Sequence, residues 1–132
     1  MITKFFQIAL VFLLFNSCRI CYDDFAIAVL SIQYHGVDSS NTILVVQTDK
    51  TDYNAVIDTS SLGIIDSANN YTVEFMSPSS EYNYLIVLQE TNHVDTLSNF
   101  IEIRGGKCND LKGISYVFNG EVKSNQHIDV NM

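Results

Sequence analysis

From residue 25 onward, apolar side chains recur at every second position in short runs, and no window of eleven or more residues holds them at helical spacing. A period of two belongs to a strand with one face buried, so β-structure is imposed before any other property is weighed. FAIAVLSIQY (25–34) sets Ala26, Ala28, Leu30, Ile32 and Tyr34 on one face. TILVVQT (42–48) is an apolar run short enough for a buried strand, and DYNAVID (52–58) reads as a weaker one. TSSLGIIDSANN (59–70) lacks clean alternation, which predicts a loop with an apolar insertion at Leu62, Ile64 and Ile65. YTVEFM (71–76), EYNYLIVLQ (81–89), VDTLSNFIEIR (94–104) and ISYVF (114–118) resume the alternation.

The punctuation between these runs agrees with them. HGVDSSN (35–41) is a turn cluster, and Pro78 falls in the SPSS connector. ETNH (90–93) offers Asn92 for the left-handed position of a tight turn, and GGKCNDLKG (105–113) reads as a flexible corner carrying Cys108. Asn119-Gly120 is the strongest hairpin signal in the chain, with EVKSNQHIDVN (121–131) as the returning strand and a bulge near Ser124 and Asn125. The length of 132 residues with 47% apolar content suits one domain with one core. Seven to eight short strands at this spacing predict an all-β chain, an antiparallel β-sandwich of immunoglobulin-like or transthyretin-like outline, with a partly closed barrel as the competing architecture.

Fifteen acidic and seven basic residues give a net charge of -8. A surface this acidic repels phosphates, so nucleic acid is not an expected partner, and it offers no polybasic patch to anionic lipid. The N-terminus is a separate matter. FFQIALVFLLF (5–15) follows Lys4 and is too short to span a bilayer, so it reads as an export signal. Ser17 suits a conventional cleavage site but Phe15 and Asn16 do not. FNSC (15–18) is similar to a relaxed form of the bacterial lipoprotein box, of the kind seen in Bacteroidota, in which the cysteine becomes the acylated first residue. The expectation is a signal peptide over 1–17, a lipidated Cys18 with a short tether over 18–24, and a β-sandwich domain over 25–132. Plain secretion with cleavage near Ser17 is the alternative.

Acylation of Cys18 would leave Cys21 and Cys108, an even pair that oxidises in an exported chain. A bond across that 87-residue separation stabilises by about 4 kcal/mol in the chain-entropy model. Cys18-Arg19-Ile20-Cys21 also has the spacing of a redox pair, though no βαβ pattern surrounds it. A metal site is disfavoured because no second C-x-x-C follows.

Candidates for chemistry are few. His35, His93 and His127 fall in turns or at a strand start, and no G-x-S-x-G elbow presents a serine, so neither catalytic residues nor a cofactor are expected. Asp23-Asp24, Asp49, Asp52 and Asp58 lie near strand ends but do not match a calcium loop. Tyr82 and Tyr84 share a strand face and could stack on a sugar, although Ile86 and Leu88 continue that face and point to core. Asp66-Ser67-Ala68 and Asp95-Thr96-Leu97 are similar to the short O-glycan acceptor of exported Bacteroidota proteins.

Taken together, Cys18, Cys21 with Asp23 and Asp24, Asp95-Thr96-Leu97, Cys108 after Gly105-Gly106, and Phe118-Asn119-Gly120 resemble a group of small Bacteroidota lipoproteins with no established activity. This chain departs from them in lacking a proline-rich stretch after the lipid cysteine. The resemblance implies a single β-sandwich in the cell envelope, anchored in the outer membrane through its N-terminal lipid. Its expected role is non-enzymatic, meeting a protein or glycan partner, and a secreted or surface carbohydrate-binding module using Tyr82 and Tyr84 is the alternative.

Overall fold

A computed structural model describes residues 26–62 and 68–132. The segments expected to be an export signal and a tether, with Cys18, Cys21 and Asp23-Asp24, and the Asp66-Ser67 part of one expected glycan acceptor lie outside the described residues. Within them the chain is all β, with nine strands: β1 (Val29–His35), β2 (Ile43–Asp49), β3 (Val56–Leu62), β4 (Asn70–Met76), β5 (Tyr82–Leu88), β6 (His93–Gly105), β7 (Asp110–Phe118), β8 (Glu121–Lys123) and β9 (His127–Asn131). They form a three-stranded sheet in the order β4-β1-β9 and a six-stranded sheet in the order β3-β2-β5-β6-β7-β8. The two sheets make a β-sandwich.

Alternation decides which side chains lie between the sheets. Leu30, Ile32 and Tyr34 of β1 are fully buried, and so are Ile43, Ile86, Leu88 and Leu97 of the larger sheet. Burying each such side chain contributes about 1.5–3 kcal/mol, and one continuous core joins them to Phe100, Ile114, Tyr116 and Phe118. Side chains that cross the gap set the stacking. The Phe75 and Tyr84 rings meet edge to face at 5.3 Å, laying β4 over β5. The Tyr34 hydroxyl donates to Asp95 at 2.7 Å, laying β1 over β6. The Tyr116 hydroxyl donates to the Asn125 carbonyl at 2.7 Å, drawing the segment before β9 toward β7.

The turns follow their chemistry. Asn92, Asn119 and Gly120 all adopt positive φ, which Asn and Gly tolerate best. Three expectations are corrected. The strand expected over 52–58 starts at Val56, because the Asp49 and Asp52 carboxylates accept from the Thr51 and Asn54 amides at 2.8 Å and hold 50–55 as turns. The segment expected to be a loop from 59 continues that strand to Leu62, since edge pairing with β2 supports a polar sequence whose side chains need not be buried. The single returning strand at 121–131 is two: β8 stays beside β7, then β9 crosses to the smaller sheet and runs parallel to β1. That division raises the count above the seven or eight expected.

Candidate functional site

Three strands cannot cover six. With β4 over β5, the pair β2 and β3 projects past the edge of the smaller sheet, and the uncovered corner is a cleft of about 360 Å³. Val45, Val73, Phe75 and Tyr84 form its apolar floor. Asp58 and Ser60 descend from β3, where register places them opposite Gln47 and Val45, and Glu74 comes from the facing edge of β4. The β4–β5 connector closes one end. It is fixed by the Ser77 amide donating to the Ala28 carbonyl at 2.7 Å and the Ser79 amide donating to the Tyr84 hydroxyl at 3.1 Å.

Tyr82 and Tyr84 both line this cleft, in different capacities. Tyr84 is buried to 9% exposure, with its ring against Phe75 and its hydroxyl tied to the connector, so it is wall rather than platform. Tyr82 is half-buried at the rim and packs on the core. The cleft therefore presents one partly accessible aromatic ring, two carboxylates and several hydroxyls, and no basic side chain among the described residues lines it. An anion is disfavoured there; a neutral or cationic group is not.

The histidines gather elsewhere, each beside an aspartate. Nε2 of His93 lies 3.0 Å from Asp95, a buried carboxylate that also accepts from the Tyr34 hydroxyl and, at 2.6 Å, from the Asn119 amide. Asn119 in turn accepts from the Thr96 amide at 2.8 Å. Burial, and then the charge and hydrogen bond of Asp95, push the Tyr34 hydroxyl well above the ordinary phenol range. That holds it protonated, the reverse of what a tyrosine nucleophile requires. On the edge of the smaller sheet, Nε2 of His35 and Nε2 of His127 lie 2.7 Å and 3.2 Å from the same Asp129 oxygen. Those contacts hold the Asp129 carboxyl below its usual range. The histidines, expected in turns or at a strand start, are the end residues of β1, β6 and β9, and strand spacing sets His93 and Asp95, and His127 and Asp129, on common faces.

Asp49, Asp52 and Asp58 do not converge. Asp49 and Asp52 hold turn amides, and among the described residues no three His, Cys, Asp or Glu side chains gather where a metal could sit. In Asp95-Thr96-Leu97 the aspartate and leucine are buried. Cys108 is half-buried in the β6–β7 corner and is engaged rather than free.

The Arg104 guanidinium spans the place where the chain enters the sandwich. Its Nη2 donates to the Ala26 carbonyl at 3.0 Å, its Nη1 to the Asn109 carbonyl at 3.4 Å, and its Nε to Glu102 at 2.8 Å. One side chain thereby holds the first described residue next to the neighbour of Cys108.

No family model, curated protein or solved structure matches the chain. The reading of function rests on the residues alone.

Sequence reasoning weighed Asp58 only as a strand-end carboxylate for calcium and missed Ser60 and Glu74, since the cleft arises only from the unequal sheets. It also missed the Tyr34–Asp95–Asn119 network. The signal for part of that network was present in the His93-Val94-Asp95 spacing.

Proposed function

We propose that this chain is a lipid-anchored, non-enzymatic accessory domain of the bacterial cell envelope, held at the outer membrane through Cys18, with Cys21 bonded to Cys108. The observation that carries this reading is the Arg104 bridge. Ala26 and Asn109 accept from one guanidinium, so Cys21, five residues before Ala26, starts within about 17 Å of that carbonyl along an extended chain, with Cys108 adjacent to Asn109. A bond there would secure the tether to the β6–β7 corner and set the anchor at that end of the sandwich. Two or more acyl chains at Cys18 would anchor it firmly, as one chain would not.

The cleft supports a binding rather than a catalytic role. Among the described residues its lining combines hydroxyls and carboxylates without a histidine, cysteine or lysine to activate them, and the histidines pair with aspartates elsewhere, His93 with Asp95 along β6 and His35 with Asp129 from β1 to β9. A carbohydrate platform is less well supported, because Tyr84 is walled in and Tyr82 is the one ring at the rim.

Mass spectrometry of the protein from its native membranes tests the reading. The expected N-terminal peptide begins at Cys18 with added acyl mass, and an unreduced digest yields Cys21 joined to Cys108. An N-terminus elsewhere overturns the anchor, and free alkylation of Cys108 in the folded protein overturns the bond.

A further inference from the structure

The face of the six-stranded sheet that turns away from the smaller sheet carries no charged side chain from β3 to β8 except at its β6–β7 end, where Asp110, opposite Gly105, pairs with Lys112. Register makes this explicit. Leu44 lies opposite Val87 and Val87 opposite Val94, while Val117 lies opposite Val122, with Ile101 on the same side of β6. The outward positions between these are aliphatic, Ser, Thr, Asn or Gly, and the charged residues of the larger sheet, Asp58, Glu102, Arg104, Glu121 and Lys123 among them, fall on the opposite parity or at strand ends. Val94 is 48% exposed, Ile101 55% and Val122 76%, so nothing among the described residues covers these positions.

A chain with twenty-two charged side chains rarely leaves most of a sheet face without one, and large uncovered apolar faces mark contact surfaces. We propose that this face is a dimer interface, with two copies packing it against itself about a two-fold axis. Charge selects the second copy as the occupant. At a net charge of -8, other contacts between copies would bring carboxylates together, whereas this face meets its own image without like charges opposed. Extent agrees as well. Six strands about 4.8 Å apart with seven-residue strands rising about 3.3 Å per residue span on the order of 650 Å² in projection. With side-chain relief that approaches the roughly 800 Å² per partner of a standard interface. A lipid surface fits less well, because interfacial binding draws on a basic rim, and here Glu81, Glu90 and Glu121 are interspersed with Lys50, Lys107, Lys112 and Lys123 at the ends of these strands, so the rim is of mixed sign. The proposal is independent of the lipid anchor and of the cleft.

The test uses the full chain in a bacterial envelope, with a benzophenone amino acid in place of Ile101 and, as a control, in place of Glu74 on the opposite sheet. Irradiation is expected to give a covalent dimer from position 101, joined within residues 94–103 or 115–122 of the second copy, and none from position 74. Sedimentation equilibrium of the extracted protein is expected to show a dimer that Val94→Lys or Ile101→Lys weakens by more than ~100-fold with unchanged far-UV circular dichroism. Crosslinking from position 101 to lipid or to an unrelated protein, or a wild type that stays monomeric in both measurements, overturns the proposal. Should the lysine variants fail to fold, the crosslink alone decides.

Discussion

Asp95 is the residue on which the distal end of the sandwich depends. It is a buried carboxylate with three partners, Tyr34, His93 and Asn119, from three separate strands or turns. A buried charge is tolerable only when its hydrogen bonds are made. Tyr34→Phe removes one of them and is expected to destabilise by about 1–3 kcal/mol near neutral pH, read from urea midpoints. The pH dependence has a definite sign. Because the folded-state hydroxyl titrates above its unfolded value, its contribution is fully present below about pH 10 and is lost as pH rises beyond that. The variant should therefore lose stability less steeply than wild type between about pH 10 and 11, and equal slopes would refute the assignment. Of this network, the shared face of His93 and Asp95 is legible in the sequence. The contributions of Tyr34 and Asn119 are not, because they arrive from positions 61 residues earlier and 24 later.

Among elements, β3 and β9 are the instructive pair. The polar β3, with Asp58, Thr59, Ser60 and Ser61, lacks the signature of a strand, yet it pairs along its length with β2 at a sheet edge. Edge strands paired on one side and exposed on both faces open easily. Hydrogen–deuterium exchange is accordingly expected to label 57–61 well before β5 and the first half of β6, which lie inside the sheet; equal protection would contradict that ranking. For β9 the difficulty is different. His127 to Asn131 alternates as expected, but its partner is β1, 96 residues away in sequence and parallel, not the neighbouring hairpin. Local alternation identifies a strand without naming its partner, and Asn119-Gly120 reports only the next turn.

On the scale of the whole molecule, the Arg104 bridge ties the start of the sandwich to the β6–β7 corner. If Cys108 closes a loop to Cys21, Cys108→Ser should lower the stability of the oxidised protein by about 2–4 kcal/mol and leave the fully reduced protein unchanged, as measured by urea unfolding with and without reductant. No difference under oxidising conditions would show that the loop is open. The amino-acid order alone determined the all-β class, the acidic character, the inward face of β1, β5 and β7, and most of the turns, because these follow from side-chain period, from composition and from the φ preferences of single residues. Only the folded chain decided that the sheets have three and six strands, that the chain crosses from one to the other between β8 and β9, and that an open cleft and a largely uncharged outer face result. Those properties depend on which strands meet across the core, a matter of long-range packing that no local pattern encodes.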